Sequence, residues 1–302
     1  MTPIDYPRLR QQVQALWEGS DQRTVLSAGS LCVPTGWLSE EMTRALATTA
    51  AEACLALSYT AVDGYLFMVP NDQVIAPCVR KGDYEPFFAA RFREVLQPGQ
   101  CAIDVGANIG LHTLSLARLV GPTGTVWALE PDQASCVLLK ENLRLNGLEQ
   151  VRVLRQAAGS ERRSVRLFHN YLNAGDHSLW ENPKEPRRPQ WVEEQPLDDL
   201  VLGKTPVQLL KIDTQGYEVR VLRGAKKILA QDHLHLAIEF WPHGLRQVGD
   251  SPEEFAATLR HYGFKIFGYH ADRGDVRPMT AAELLVWKGL RDERFLDLWC
   301  VE

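Results

Sequence analysis

The sequence has no CxxC pair, although it contains six cysteines among its 302 residues. Cysteines scattered in this way favour neither a disulfide framework nor a structural zinc site. There is also no run of about 20 consecutive apolar residues, the length that a membrane-spanning helix requires. The chain begins without a basic segment followed by an apolar one, the pattern of a secretory signal. We therefore expect a cytoplasmic protein with no membrane partner.

A large excess of one charge is absent as well, because 38 acidic and 33 basic residues give a net charge of −5. This balance provides no general attraction for polyanions, so we expect no nucleic-acid partner. The hydrophobic fraction of 45% and the charged fraction of 24% are typical of a globular protein. The length is sufficient for one large α/β domain with an N-terminal addition.

From residue 101 onward, short apolar runs alternate with stretches that have helical periodicity. This alternation is typical of a doubly wound α/β fold, in which helices cover both faces of a mostly parallel sheet. Ser251-Pro252-Glu253-Glu254 combines an N-cap serine with proline at the first helical position, so a helix begins there. Strands are predicted at 101–105, 125–129, 151–155, 164–168, 209–212 and 234–240, with edge strands at 264–269 and 295–301. Helices are predicted at 111–120, 132–146, 217–230 and 281–290.

The first 80 residues differ from the rest of the sequence. Residues 40–58 are rich in alanine and predict a helix, and residues 65–79 predict short strands around Pro70. We interpret residues 1–80 as an N-terminal cap or lid subdomain and residues 81–302 as the catalytic domain. The stretch 170–196 is the least regular part of the catalytic domain.

The chemistry is expected at the carboxyl ends of the strands, where doubly wound sheets bind their ligands. The first strand of the domain runs into Asp104-Val105-Gly106-Ala107-Asn108-Ile109-Gly110, a turn in which glycine permits close approach of a ligand to the backbone. Glycine turns between a strand and a helix are also common structural features. This turn alone therefore does not establish a cofactor site.

Two acids make the turn more specific. Glu130 ends the next strand, where a carboxylate can accept hydrogen bonds from both hydroxyls of a ribose. Asp104 lies directly before the glycines, where its charge would repel a pyrophosphate but suits a ligand with an ammonium and a sulfonium. The turn is also GxxxG and not the GxGxxG of dinucleotide-binding proteins. Together these features favour S-adenosylmethionine over NAD.

The sequence resembles the FkbM family of S-adenosylmethionine-dependent methyltransferases over about residues 60 to 270. The matching segments are Lys81-Gly-Asp-Tyr-Glu-Pro86, Ile103-Asp-Val-Gly-Ala-Asn-Ile-Gly110, Ala128-Leu-Glu-Pro131, Asn142-Leu-Arg-Leu-Asn-Gly147, Leu210-Lys-Ile-Asp-Thr-Gln-Gly-Tyr-Glu218 and Val221-Leu-Arg-Gly-Ala225. The resemblance implies a seven-stranded, Rossmann-like methyltransferase sheet and transfer of a methyl group to a hydroxyl, often on a sugar or natural product. Gln215 departs from it, because many members carry glutamate there.

Three residues are candidates for the base that removes the acceptor proton. Asp213 follows a buried strand, Glu239 lies inside an apolar strand, and His177 lies in a polar loop that some similar sequences share. Each also has a structural interpretation. Asp213 could cap the next helix, Glu239 could pair with Lys211, and an exposed histidine is usually inert.

The predicted cofactor contacts surround the ends of the first three strands. Tyr84 and Glu85 are expected near the methionine end of the cofactor, while Gln156 and Ala157 are expected at the adenine. The full set is Tyr84, Glu85, Asp104, Gly106, Asn108, Gly110, Glu130, Pro131, Gln156 and Ala157. For His112 we expect an exposed helix position. Trp180, Trp191 and Trp241 either line an acceptor pocket or belong to the core.

Several alternatives stay open at this stage. Asp213 and Glu239 could hold a divalent cation, but no His/Cys spacing demands one, and we predict a metal-independent enzyme. Transfer to an amine, a cofactor-binding protein without catalytic activity and RNA methylation are the other interpretations. The expected partner is a small-molecule or glycan acceptor, and the protein could form a homo-oligomer.

Overall fold

A computed structural model describes residues 58–62, 65–69, 73–81, 85–170, 173–182, 189–201, 205–270, 274–287 and 294–302. The helix predicted at 40–58 falls outside these ranges except for Ser58, which begins a strand. Tyr84 also falls outside them. The boundary near residue 80 therefore stays a prediction.

The described residues form a mixed α/β fold, with strands and helices alternating along the catalytic domain. The strands are β1 (Ser58–Val62), β2 (Tyr65–Val69), β3 (Cys101–Val105), β4 (Thr125–Leu129), β5 (Val151–Leu154), β6 (Ala157–Gly159), β7 (Arg163–Phe168), β8 (Pro189–Pro196), β9 (Val207–Ile212), β10 (His235–Phe240), β11 (Lys265–His270), β12 (Asp275–Met279) and β13 (Leu296–Val301). The helices are α1 (Ile75–Lys81), α2 (Pro86–Val95), α3 (Leu111–Val120), α4 (Gln133–Asn146), α5 (Leu197–Leu200), α6 (Glu218–Arg223), α7 (Lys226–Leu229), α8 (Pro242–Gln247), α9 (Pro252–His261) and α10 (Ala281–Leu284).

The central sheet has eight strands in the order β12-β11-β13-β10-β9-β3-β4-β5. Strands β10, β9, β3, β4 and β5 are parallel, and β13 is antiparallel to both β10 and β11. The Rossmann-like doubly wound arrangement is thus confirmed, but the expected count of seven strands is wrong by one. The additional strand is β12. It was not predicted, because its residues are at least partly exposed and show no apolar alternation.

The prediction that residues 264–269 and 295–301 form edge strands is also wrong, because β12 and β5 are the edges of the sheet. Strand β13 lies between β10 and β11, and its residues are mostly buried. The segment Leu-Asp-Leu-Trp-Cys-Val is nearly continuous in apolar residues, as expected for a strand covered on both faces.

Two layers of helices bury the two faces of the sheet. On one face, α2 and α3 contribute Phe88, Phe92 and Leu116 to a core that includes Ala102 of β3. On the other face, helices α5 to α10 pack against residues such as Ile103. Successive residues of β3 therefore point to opposite helix layers, so every residue of this strand is buried.

The predicted helix at 217–230 is divided into α6 and α7. The break lies at Gly224, where an added Cβ would lie 1.9 Å from the carbonyl oxygen of Gly159. The chain thus bends where α6 packs against β6, which apolar periodicity alone does not reveal. The N-cap predicted at Ser251 is confirmed, because its side chain accepts a backbone hydrogen bond at the start of α9. The side chain of Asp132 caps α4 in the same way.

Near the N-terminal end of the described chain, β1 and β2 form an antiparallel hairpin that contacts α4. Residues 75–79 were predicted as part of a strand, but they belong to helix α1. Ile75 and Val79 are buried at helical i, i+4 spacing, and Pro77 lies in the first turn, where a helix tolerates it. No helix in the described ranges is long and apolar enough to cross a membrane.

A second sheet of three strands, in the order β6-β8-β7, lies beyond the end of β5. Strand β8 belongs to the stretch 170–196 that was expected to be irregular. It pairs with β6 in parallel and with β7 in antiparallel orientation. This small sheet stands next to the carboxyl ends of the parallel strands.

Gly106 lies at the point where β3, β4 and β9 end together at one edge of the central sheet. Its N–H donates to the carbonyl of Leu129 on β4, and the N–H of Asp213 donates to the carbonyl of Val105. The backbone of Gly106 has a φ of 80°, and an added Cβ would lie 1.8 Å from the carbonyl oxygen of Asp213. This glycine is therefore required by the packing of β3 against the segment after β9.

We predict that Gly106→Ala lowers the free energy of unfolding by about 3 kcal/mol or more, because backbone must move to admit the methyl group. Gly147→Ala is the matched control, since Gly147 has a similar φ of 66° but nothing within 4 Å of its added Cβ. The control should lose only about 1 kcal/mol. Urea unfolding measures both losses, and equal losses would contradict the steric argument.

Candidate functional site

The carboxyl ends of β3, β4, β5 and β9 surround a cleft of about 670 Å³. Eight of the residues singled out from the sequence line it, and they come from separate strands and loops. These residues are Gly106, Asn108, Glu130, Pro131, Gln156, Ala157, His177 and Asp213. The strand-end argument thus located one continuous cleft, to which the loop residues Ala174, Gly175 and Leu179 also contribute.

Four other predicted residues do not line this cleft. Glu85, Asp104 and Glu239 lie in a buried polar cluster beside it, whereas Gly110 has a packing role. A Cβ at Gly110 would lie 2.6 Å from Leu139 and 2.9 Å from Leu114. Gly110 therefore allows α3 and α4 to approach each other.

Glu130 is the acid best placed to bind hydroxyl groups in the cleft. Its Oε2 accepts a 2.8 Å hydrogen bond from the N–H of Asn108, and its Oε1 accepts one of 2.8 Å from the N–H of Asp132. Burial, followed by the nearby charge of Asp132, raises the pKa of Glu130 to about 8. The carboxyl group is held rigidly and is neutral at slightly acidic pH.

Asp104 lies behind the cleft and contacts two side chains. The hydroxyl of Thr113 donates to its Oδ2 at 2.6 Å, and Lys211 Nζ lies 3.6 Å from its Oδ1. Lys211 is also 3.5 Å from Asp213 Oδ2. The structural interpretation of Glu239 as the partner of Lys211 is therefore wrong, and the lysine instead connects the acids after β3 and β9.

Lys211 remains a cation although it is 2% exposed. Burial lowers its pKa, but the carboxylates of Asp213, Asp104 and Glu85 outweigh this effect and raise the pKa above its ordinary value. Sequence reasoning did not foresee this role. The one available signal was a lysine inside the apolar run of β9, where a charge is costly unless it is paired.

Asp213 belongs to a group of carboxyls whose combined negative charge exceeds the single positive charge of Lys211. Its pKa is raised by burial, against the effect of Lys211, and the charge of Glu85 raises it further. It does not cap a helix, because the N-cap residue of α6 is Tyr217. Asp213 therefore has a carboxyl group in the cleft that binds a proton more readily than an ordinary aspartate.

Glu239 and Asp297 extend this cluster across the sheet. They are opposite each other on β10 and β13, and burial raises the pKa of Asp297 to about 8. Burial and the charge of Asp213 raise the pKa of Glu239 well above its ordinary value. Asp297 was missed from the sequence, although it shows the same signal as Glu239, a carboxylate inside an apolar strand.

Gln215 links two of these acids. Its side-chain amide lies 2.9 Å from Asp213 Oδ1 and 3.4 Å from Glu239 Oε2. The residue has a φ of 51°, so the chain turns sharply to bring the amide back to both acids. The amide donates to both acids without adding a further negative charge.

Glu85 and His112 form a short hydrogen bond, with Nε2 and Oε2 separated by 2.6 Å. The expectation that His112 is an exposed helix residue is wrong, since it is 7% exposed and packs edge-on against Phe92. Glu85 precedes α2 and has a φ of 43°. Its carboxylate is thereby directed toward α3 and the acid cluster.

His177 is placed in the cleft by the loop that follows β7. Its Nδ1 accepts a hydrogen bond from the N–H of Asn170 at 3.1 Å, so the neutral ring has its proton on Nε2. That nitrogen lies 3.9 Å from Asp132 Oδ1. In this arrangement neither nitrogen offers a free lone pair, which disfavours His177 as the base.

Asp132, His169 and His177 place potential metal-ligand atoms within 4.8 Å of one another. Two observations favour a network of hydrogen bonds among these side chains over a metal centre. Asp132 already accepts from the Ser135 N–H and from the Gln190 side chain. A histidine that binds a metal through Nε2 normally donates from Nδ1, but His177 accepts there.

The three tryptophans differ in environment. Trp180 is 9% exposed and donates from Nε1 to the carbonyl of Gln215 at 3.3 Å. Trp241 packs near Trp180, with ring centroids 6.2 Å apart. Trp191 is 70% exposed on β8, so it is not a core residue.

Residues 104–266 match the model of the methyltransferase FkbM domain. A curated relative, "Methyltransferase 1" of Beauveria bassiana (strain ARSEF 2860), is 26% identical over 196 residues, which cover 58% of this chain and 75% of the relative.

Solved structures that are similar to this chain include two methyltransferases. For a methyltransferase FkbM from Methylobacillus flagellatus KT the identity is 18% and the TM-score 0.42, over 70% of this chain and 50% of that one. The chain thus spans half of that protein. For a putative methyltransferase from Streptococcus mutans in complex with SAH the identity is 13% and the TM-score 0.42, over 72% of this chain and 97% of that one.

We predict that the affinity for S-adenosylhomocysteine rises between pH 6.5 and pH 9, because the pKa of Glu130 is about 8 and its ionised form is the stronger acceptor for ribose hydroxyls. Glu130→Gln should bind about tenfold more weakly at pH 9 and nearly as well as the wild type at pH 6.5. Calorimetric titration across this range measures the profile. A mutant loss that is independent of pH would contradict the role of ionised Glu130.

For Gln215→Glu, we expect a loss of stability that grows with pH. The new carboxyl would face Asp213 and Glu239, so its folded pKa would lie above its unfolded pKa, and stability would fall as pH rises between the two. Relative to wild type, unfolding should cost about 1 to 3 kcal/mol less at pH 8 and be nearly unchanged at pH 5. Gln97→Glu, at an exposed turn, is the control. A loss that is the same at both pH values would contradict the repulsion.

Proposed function

The chain belongs to the FkbM methyltransferase domain family and takes its methyl group from S-adenosylmethionine, and we propose that it transfers this group to a hydroxyl of a small-molecule, sugar or natural-product acceptor. The observation that carries the proposal is the carboxyl of Asp213, which lies in the cleft and has a raised pKa. An alcohol is a weak nucleophile until its proton is removed, so a base at this position has a direct use.

The residues of the cleft fit the cofactor. Glu130 offers a carboxylate for the ribose, and Gln156 and Ala157 follow β5 at the expected adenine edge. Asn108 Oδ1 is buried and accepts no hydrogen bond from the described residues, so it is available for a donor of the bound molecule. S-Adenosylmethionine supplies a methyl group made electrophilic by its sulfonium.

In the proposed reaction, Asp213 accepts the hydroxyl proton as the acceptor oxygen forms its bond to the methyl carbon. Bound S-adenosylmethionine would supply the methyl group and would leave as a neutral thioether that keeps the electron pair of the carbon–sulfur bond. Charge is thus conserved, because one sulfonium and one carboxylate would be converted into a neutral thioether and a protonated Asp213. Positioning of the acceptor oxygen in line with the methyl group provides the rest of the acceleration.

The neighbours of Asp213 suit this role. Gln215 and Lys211 hold its two oxygens, so the carboxyl is oriented before the acceptor arrives. Glu239 does not line the cleft and touches Gln215, which makes it a positioning residue in this proposal. We propose that His177 covers the cofactor, since both of its ring nitrogens face protein groups.

We expect Asp213→Asn to lower turnover at least about a hundredfold, because an amide cannot accept the proton. Binding of S-adenosylhomocysteine should change by less than about threefold, since the variant keeps the shape of the side chain. The measurement uses methyl-labelled cofactor with a panel of hydroxylated and amine-bearing acceptors. Asp232→Asn, at an exposed loop position, is the matched control.

Different outcomes separate the alternatives. Full turnover in Asp213→Asn would reject Asp213 as the base. Transfer to amines and to none of the hydroxylated acceptors would reject the proposed reaction. Binding of S-adenosylhomocysteine without transfer to any acceptor would favour a catalytically silent protein.

A further inference from the structure

Beside the cofactor cleft lies a second groove of about 860 Å³, which we call the β7–β8 groove. It runs between β7, β8 and the segment after β9. Leu179 and Tyr217 line both the groove and the cofactor cleft, so the two spaces are adjacent. We propose that the β7–β8 groove binds the methyl acceptor and that this acceptor is a hydroxylated, saccharide-like ring with one negative charge. This inference rests on the function proposed above.

The groove has an exposed aromatic platform next to a cation. Trp191 on β8 and Arg166 on β7 are directly opposite each other in the antiparallel pair, so both side chains project from the same face of the small sheet. Trp191 is 70% exposed, an unusual position for so large an apolar side chain. An indole face of this kind suits the C–H face of a sugar ring.

The charge of the groove indicates an acceptor with one negative charge. Three arginines line it, but Arg163 is bound by Glu194 and Arg220 by Asp250. Arg166 is exposed and lies over the ring of Phe168, and no carboxylate of the described chain lies within ion-pair distance of it. One unneutralised guanidinium suits a single carboxylate or phosphate group.

The same observation disfavours a nucleic-acid strand. A polyphosphate chain would gain affinity from several unpaired cations along its path, whereas this groove offers one. The groove also presents Glu181 and Gln247, two exposed groups that accept hydrogen bonds and suit neutral hydroxyls. A carboxylate in this position would repel a second anionic group.

A continuous set of contacts leads from the groove to the proposed base. Trp180 lines the groove, and its Nε1 donates to the carbonyl of Gln215. The side chain of Gln215 in turn contacts Asp213. Leu179 and Tyr217, which line both spaces, place an acceptor in the groove next to the cleft that Asp213 lines.

The test measures binding by saturation-transfer NMR to the full chain saturated with S-adenosylhomocysteine. The probes are methyl glucoside, methyl glucuronide and glucose 6-sulfate, which compare a neutral ring with two sources of a single negative charge. We expect the wild type to bind at least one anionic probe tenfold more tightly than the neutral one. A short single-stranded oligouridylate is added as a competing class of ligand.

Three variants separate the contribution of charge from the contribution of the aromatic platform to binding of the probes. Arg166→Gln should abolish the preference for the anionic probe, and Trp191→Ala should weaken all sugar probes at least fivefold. Arg260→Gln, at an exposed position on α9 away from the groove, should match the wild type. All three should bind S-adenosylhomocysteine normally, because neither Arg166 nor Trp191 lines the cofactor cleft.

The proposal is overturned if no anionic sugar binds, if Arg166→Gln keeps the preference, or if only the oligouridylate binds in a manner that depends on Arg166. These outcomes leave the proposed reaction untouched, since the Asp213→Asn experiment reads transfer to hydroxylated acceptors directly. Conversely, binding of an anionic sugar that depends on Arg166 would stand even if Asp213 proved not to be the base.

Discussion

The site depends on a single buried cation. Removing an ammonium group from water costs several kcal/mol unless it is paired, so Lys211 at 2% exposure requires partners. Asp104 and Asp213 supply them from the ends of two neighbouring parallel strands. The same requirement therefore fixes the relative positions of the glycine turn after β3 and the acid after β9.

One lysine cannot neutralise all the acids around it. Asp213, Glu239, Asp297 and Glu85 act on one another through a water-poor region, and burial adds to their mutual repulsion. The pKa values of Asp213, Glu239 and Asp297 are thereby raised, and Asp213 lies in the cofactor cleft. Catalytic bases are commonly adjusted in this way, because a base needs a pKa near the working pH. The cluster thus explains why a buried position that is unfavourable for stability would be useful for proton transfer.

Sequence patterns predicted much of this architecture because their physical causes are local. The period of the apolar residues and the N-cap at Ser251 depend only on neighbouring residues. The strand-end rule then placed Glu130 and Asp213 in one cleft, because parallel strands end on the same side of a sheet. The order of strands was less accessible, since the position of β13 depends on partners that are distant in the sequence. The partners of Lys211 and His112 could not be foreseen for the same reason.

The central sheet and the three-stranded sheet differ in how strongly packing constrains their residues. The residues proposed to hold the cofactor and the proposed base lie at the ends of strands buried on both faces, where packing leaves little freedom. The β7–β8 groove lies partly on the three-stranded sheet, whose outer face can change residues without disturbing the central core. Gly224 and Gly159 bring α6 against β6, so the three-stranded sheet is nevertheless held firmly beside the cleft. If the groove binds the acceptor as proposed, its residues could change without disturbing the residues proposed for the chemistry.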